Sequence, residues 1–432
     1  MMKDTLKSII YEFHTGKLPD LIERDLKLPF ESGKIVSVVG PRRVGKTYLF
    51  FQHVRDLQRR GVDVRRVLYL NFEDERMDLD VHSLDLILQA YRELYPDLDL
   101  EGCYFFLDEV QNVTGWERFV RRLYDSMSRN VFITGSNSRL LSREIATALR
   151  GRTVNYELLP LSFREFLRFK GFDFDPERDF YSSLRRARVI QLFREYLEFG
   201  GFPEVVLLKE ELKIRTLQEY FEVMLYRDIA ERYQVRDTLV LKYFLKRMAE
   251  NSGKFLSVHK IYNELRSQGI KVGKDTFYAY LDFAESAYFV KLLRKHYRSL
   301  VKSELAEKKV YLIDTGLLRG IRFLRESAGV LLENAVFLEL LRSSRELVCF
   351  KEQKECDFIL DGKVAIQVCF SLGNEEVTKR ELAGLREACR ALGLKEGYVL
   401  SFDERGEFKL DGDITVKVIP ACEFFLRGLP WA

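Results

Sequence analysis

The sequence predicts an α/β chain: a parallel sheet with helices on both faces in its first third, then a helical region, then smaller mixed domains. Three observations lead there. Residues 35–39, IVSVV, are a β-branched run of buried-strand type that breaks into a glycine-containing loop and an apolar helix. Residues 104–109, YFFLDE, are a second run, ending in two acids, and VFITGSN (131–137) is a third, ending in small polar residues. Strands that alternate with helical stretches and carry polar residues at one end fit a doubly wound sheet, whose ligands sit at the strands' carboxyl ends.

The loop after the first strand reads Gly40-Pro41-Arg42-Arg43-Val44-Gly45-Lys46-Thr47, which fits G-x-x-x-x-G-K-T, and Tyr48 opens the helix YLFFQHV behind it. Its two glycines let the backbone turn tightly, so that N–H groups and the helix N-terminus face an anion. Residues 40–48 are therefore the candidate phosphate-binding set, with Lys46 reaching the β- and γ-phosphates and the Thr47 hydroxyl ligating Mg2+. Asp108 is placed to hold Mg2+ through water and Glu109 to polarise the attacking water. VLYLNFED (67–74) supplies a further strand, and Ser136 or Asn137, at the tip of 131–137, is the candidate γ-phosphate sensor. An acid pair beside a polar-tipped strand is the pattern of the additional-strand P-loop ATPases, AAA+-like proteins that take ATP and Mg2+. Arg150 and Arg152 precede a fifth strand, VNYELL, and Arg152 is the candidate finger for a neighbouring subunit's γ-phosphate, which predicts a homo-oligomer.

Composition bounds the rest. The 432 residues exceed one ordinary core, and 47% hydrophobic with 31% charged residues describes a folded chain with a charged surface. Six cysteines and five histidines include no close pair of the zinc-binding kind, so reduced thiols and no structural metal are expected. No apolar run spans a bilayer and the first residues lack a signal-peptide core, which predicts a cytoplasmic protein without a membrane partner. The net charge of +4 is unevenly spread: residues 331–432 hold 14 basic and 18 acidic residues, whereas residues 253–302 hold 10 basic and 4 acidic ones.

The stretches GPRRVGKT, YLNFEDER, FFLDEVQNVTGWE, ITGSNSRLLS, FGGFPEV, YRDIAERY, KVYLIDTGLL, LLENAVFLEL and ECDFIL, spread over nearly the whole chain, resemble a family of archaeal and bacterial AAA-type ATPases. Its members carry a C-terminal PD-(D/E)XK nuclease-like domain of unknown function. The resemblance implies ATP binding and hydrolysis. It also likens Gly200, Gly201 and Pro203 of FGGFPEV to a lid segment of switch-type ATPases, which makes Gly201 and Pro203 candidate nucleotide contacts.

Residues 253–300 read as helix, turn, second helix from about Asp275, strand-like YFVKLL and a basic hairpin, the order of a winged helix-turn-helix. Lys271, Lys274, Arg294, Lys295 and Arg298 are candidate DNA-phosphate contacts. The second helix offers Asp275, Asp282 and Glu285 but no Arg, Asn or Gln for base edges, so any such contact is expected to be independent of sequence.

In the nuclease-like region the resemblance maps the metal-site positions onto Glu333, Asp357, Gln367 and Cys369. Gln367 is neutral and Cys369 supplies no ammonium, so a degenerate site is expected. The expected domains are an ATPase domain (1–165), a helical lid (166–250), a winged helix-turn-helix (251–305) and a degenerate nuclease-like domain (306–432). Three functions compete: an oligomeric ATP-hydrolysing remodeller that contacts DNA, a slow nucleotide-gated switch that binds a protein partner, and an ATP-regulated nuclease.

Overall fold

The computed structural model describes residues 2–80, 82–136, 149, 151–297, 299–321, 328–343, 346–373, 375–411 and 413–428, apart from the side chains of Glu177 and Leu300. Asn137, Arg150 and Arg298 lie outside the described residues. The chain forms two compact units, Met1–Leu159 and Pro160–Ala432.

The first unit is built on five strands: β1 (Ile35–Val39), β2 (Val67–Asn71), β3 (Tyr104–Asp108), β4 (Asn130–Gly135) and β5 (Thr153–Glu157). Every pairing is parallel and the order is β2-β3-β4-β1-β5. β4 is thus inserted between the strand that leads into the phosphate loop and the strand that carries the acids. The central strands are buried on both faces, which is why they read as continuous apolar runs rather than alternating ones. On one face, α2 (Lys46–Arg59) packs Leu49, Phe50, Val54 and Leu57 with Phe106 and Phe132, whose rings stack 4.6 Å apart. On the other, α3 (Asp85–Leu94) and α4 (Trp116–Ser126) join the core with α1 (Met2–Thr15), a helix the sequence reading left unassigned. Ion pairs from Lys3 and Lys7 to Glu93 link α1 to α3.

The second unit begins with helices α5 (Phe163–Phe169), α6 (Ser183–Phe199), α7 (Glu210–Val223) and α8 (Thr238–Glu250). Next come α9 (Val258–Ser267) and α10 (Lys274–Ser286), with an antiparallel sheet of order β6-β8-β7 from Lys254–Phe255, Lys309–Leu312 and Val290–Leu293. After α11 (Gly316–Ile321) and α12 (Ala328–Ser343), a six-stranded mixed sheet of order β13-β14-β12-β11-β10-β9 closes the chain. Its strands are β9 (Leu347–Lys351), β10 (Glu355–Leu360), β11 (Val364–Cys369), β12 (Glu396–Ser401), β13 (Gly406–Leu410) and β14 (Ile414–Pro420). α13 (Glu375–Leu392) packs Leu382, Leu385, Ala388 and Cys389 against it.

The division between the compact units falls at Leu159, near the expected end of the ATPase domain at 165, and residues 160–432 cluster together. A boundary at 306 would separate β8 from its sheet, because β8 pairs its backbone with both β6 and β7. Where the basic hairpin was expected, β7 and β8 pair antiparallel, from Val290 opposite Leu312 to Leu293 opposite Lys309. After β7 the chain leaves the small sheet, and its backbone pairs with Cys349 of β9 (Cys349 N to Arg294 O 2.9 Å, His296 N to Cys349 O 2.7 Å). β9 is an edge strand of the large sheet, and its open N–H and C=O groups at Cys349 pair with the backbone of Arg294 and His296 before the chain returns to β8.

Candidate functional site

The site at the carboxyl ends of β1, β3 and β4 is assembled from local necessities. β1 delivers Gly40 beside the Leu158 carbonyl, and a Cβ there would lie 2.3 Å from that oxygen. Gly45 adopts φ 95°, a left-handed conformation that glycine reaches without strain, and so turns the chain into α2. Val44 is buried in the core, while Arg24, which the sequence reading missed, donates to the Val44 carbonyl (2.8 Å) and the Leu159 carbonyl (2.8 Å). A buried arginine among loop carbonyls is a buttress that only long-range contacts reveal. Arg42 pairs with Glu73 at 2.7 Å. Pro41 is buried, and Arg43 and Tyr48 are exposed.

Lys46 is buried, and its ammonium lies 3.0 Å from the Glu109 carboxylate and 3.2 Å from the Gly40 and Pro41 carbonyls. The Thr47 hydroxyl donates to Asp108 Oδ2 (2.6 Å), and Thr134 donates to Asp108 Oδ1. Thr134 also accepts from the Glu109 N–H (2.8 Å), so one side chain of β4 positions both acids of β3. Glu109 takes φ 50°, unusual for a residue with a side chain, at the end of the strand. Gln111 donates to its second oxygen at 2.6 Å. Burial pushes the Glu109 carboxyl up, but the Lys46 ammonium and the Gln111 amide outweigh it, and its pKa is lowered. For Asp108 the balance reverses: burial outweighs the hydroxyls of Thr134 and Thr47, and the pKa is raised.

Lys46, Thr47, Asp108 and Glu109 therefore meet as one cluster. Ser136 is buried near it at the end of β4, and its hydroxyl has no hydrogen-bond partner among the described residues. Besides Thr134, the structure adds Tyr69 of β2, whose hydroxyl donates to Asp108 Oδ2 at 3.1 Å. Thr134 was visible in the sequence as a polar residue at a strand tip, whereas Tyr69 sits within an apolar strand that marks it as core.

Arg152 lies at the opposite edge of the sheet. Its carbonyl accepts from Ile35 N (2.8 Å) at the start of β1, and its guanidinium pairs with Asp125 at 3.0 Å. The five residues of β1 separate that edge from the loop, ~16 Å at the usual rise per strand residue. Arg152 thus stands about a strand's length from the loop of its own chain.

Gly201 and Pro203 have partners inside the second unit. The Gly201 N–H donates to the buried Asp314 carboxylate (2.7 Å), and a Cβ on Gly201 would lie 2.5 Å from the Leu161 carbonyl. Pro203 opens a short helix, Pro203–Leu207, at the position where its fixed φ fits. The close approach that the Gly201 backbone makes is to Asp314 and Leu161.

Burial raises Asp314 from 3.8 to about 7, against the hydrogen bonds from Gly201 and Gly316. A carboxyl whose folded pKa is raised stabilises most below its unfolded pKa, and that contribution is lost as pH rises through the folded one. Stability of the second unit is therefore expected to fall between about pH 4 and 7, by on the order of 4 kcal/mol from this group. Urea denaturation across that range should show a shallower slope for Asp314→Asn. An unchanged slope would mean that Asp314 titrates normally.

Of the nuclease-like positions, Glu333 and Asp357 converge on Lys309, 3.1 and 3.0 Å from its ammonium. Gln367 instead donates to Glu381 (2.8 Å), and the Cys369 thiol to the Ser371 carbonyl (2.9 Å). Of the candidate DNA contacts, Lys271 and Lys274 are exposed, Lys295 is half-buried, and Arg294 pairs with Glu304 at 3.1 Å.

The family described as "AAA domain" matches residues 32–167, and a domain of unknown function, DUF8612, matches residues 190–327. Uncharacterized protein MJ1544 of Methanocaldococcus jannaschii is 34% identical over 436 residues, covering 97% of this chain and 94% of its own. An uncharacterized protein of Haemophilus influenzae is 36% identical over 353 residues, 80% of this chain and 85% of its own. Among solved structures, the Walker-type ATPase PABY2304 of Pyrococcus abyssi aligns over 67% of this chain and 91% of its own, with 15% identity and a TM-score of 0.43. Among the described residues, no helix is long and apolar enough to cross a membrane.

Proposed function

The chain belongs to the family of MJ1544, and because its residues 32–167 match the AAA domain, we propose that it binds ATP with Mg2+ and hydrolyses it at the cluster of Lys46, Thr47, Asp108 and Glu109. The observation that carries this reading is the buried Lys46–Glu109 pair beside the Thr47–Asp108–Thr134 chain of hydrogen bonds. Lys46, now on loop carbonyls and Glu109, exchanges those partners for phosphate oxygens when the loop is filled. That exchange frees Glu109, which is held ionised, to accept a hydrogen bond from the attacking water. The Thr47 hydroxyl and Asp108 are the residues that would hold Mg2+, whose charge offsets that gathering on the phosphates. Thr134 keeps both acids in place, and Ser136 is the side chain left free to sense the γ-phosphate.

The finer reading is an oligomer that remodels a partner. In this reading Arg152, which now pairs with Asp125, turns to a neighbour's γ-phosphate in the assembly. The 253–302 segment, with its basic excess, contacts duplex DNA through phosphates: α9, α10 and the β6-β8-β7 sheet follow the order of a winged helix, and Lys271 and Lys274 are exposed.

Steady-state phosphate release by the whole protein, with and without duplex DNA, tests this reading. Arg152→Ala is expected to lower turnover at least tenfold while nucleotide binding is kept, in line with the large effect of a trans arginine. DNA is expected to stimulate the wild-type rate, and neutralising Arg294, Lys295 and Arg298 together to abolish the stimulation. Hydrolysis indifferent to both DNA and Arg152 would favour the nucleotide-gated switch.

A further inference from the structure

The resemblance to PD-(D/E)XK nucleases implies a divalent cation held by carboxylates at Glu333 and Asp357, and the side chains present do not fit one. Lys309 of β8 is fully buried, and its ammonium lies 3.1 Å from Glu333 Oε1, 2.7 Å from Glu355 Oε1 and 3.0 Å from Asp357 Oδ1. Three carboxylates from α12 and β10 thus close around a cation that belongs to the chain itself. Tyr311, two residues along β8, donates to the same Glu333 oxygen at 2.7 Å. The second oxygen of Asp357 accepts from the Val368 N–H at 3.0 Å, so each oxygen already has a partner.

The fourth position of a metal site is missing as well. Gln367 is held at both ends, accepting from Asp357 N (3.3 Å) and donating to Glu381 (2.8 Å). A buried ammonium is tolerated only where carboxylates and hydrogen bonds compensate its lost hydration. Here three carboxylates lie within 3.1 Å of the ammonium and supply that compensation. A metal entering this site would have to displace that charge or sit against it.

We propose that Lys309 is the resident cation of this carboxylate cluster, standing where a divalent ion would bind, so that the second unit folds without metal and the cluster binds β8 to α12 and β10. The cluster then serves assembly, not phosphodiester cleavage. Asn334 of α12 supports the same junction, accepting from the Leu312 N–H and donating to the Leu312 carbonyl, both at 2.9 Å.

The test uses the whole chain without nucleotide, in an Asp108→Asn background that removes the carboxylate of the phosphate site. Thermal unfolding and Mn2+ binding, read by the paramagnetic resonance of the free ion, are compared with Lys309 present and with Lys309→Met. With Lys309 present, no Mn2+ is expected to bind and the melting temperature should be the same in EDTA and in Mn2+. Lys309→Met is expected to melt ~5 °C or more lower in EDTA and to recover part of the loss in Mn2+, which would now fill the emptied cluster. If Lys309→Met fails to fold, Lys309→Met with Glu333→Gln, which lowers the uncompensated charge, is expected to fold. Binding of one Mn2+ per chain with Lys309 present, lost on Asp357→Asn, would overturn the proposal. So would Mn2+-dependent DNA cleavage by wild type that vanishes with Asp357→Ala.

Discussion

Glu109→Gln is expected to lower ATP turnover by roughly a hundredfold or more, the range of a positioned general base, with nucleotide affinity kept or raised. The amide has almost the shape of the carboxylate, so the hydrogen bond from Gln111 and the backbone bond to Thr134 can persist. What it loses is the charge that pairs with Lys46 at 3.0 Å and the capacity to take a proton from water. Fluorescent-nucleotide binding and phosphate release, measured side by side, separate the two effects. Lys46→Ala should differ in kind: it leaves Glu109 buried without its counter-charge and removes the phosphate partner, so binding and turnover fall together. If Glu109→Gln hydrolysed ATP at the wild-type rate, the base would be elsewhere and the proposed mechanism would be wrong.

The second large effect is on folding. Gly200→Ala and Gly201→Ala are each expected to destabilise the second unit by roughly 2–4 kcal/mol, as overpacked core sites do. Gly200 has φ 75° and ψ −164°, a conformation open essentially to glycine, and a Cβ there would fall 1.8 Å from Asp314 Oδ1. The Gly201 clash is with the Leu161 backbone, which cannot rotate away as a side-chain end can. Thermal melts without nucleotide discriminate the roles, since a nucleotide-contacting glycine would leave the apo protein's melting temperature unchanged. An unchanged apo melting temperature with a loss of stabilisation by ATP would instead assign these glycines to the nucleotide.

Much of the first unit was legible in the sequence because its signals are local. A β-branched run, two glycines, a lysine and a threonine at fixed spacing specify strand, loop and helix together. Asp108 and Glu109 at the end of an apolar run read as a strand tip for the same reason. Tyr69, Arg24 and Thr134 act across strand pairs or along a packed linker, so their partners lie tens of residues or more away in sequence. Lys309 shows the limit most plainly. It opens an ordinary strand, KVYL, and nothing in its neighbours announces that Glu333 and Asp357 will meet it.

By itself the sequence determined the parallel sheet, the phosphate loop and the acid pair. These depend on residue type, spacing and the periodicity of burial. Only the tertiary structure decided that β8 joins β6 and β7, that the 294–296 backbone pairs with β9, that Gly200 and Gly201 make room for Asp314, and that a lysine fills the carboxylate cluster. Each of these is a pairing between distant segments, set by which open backbone edges, buried charges and close-packed surfaces must be satisfied at once.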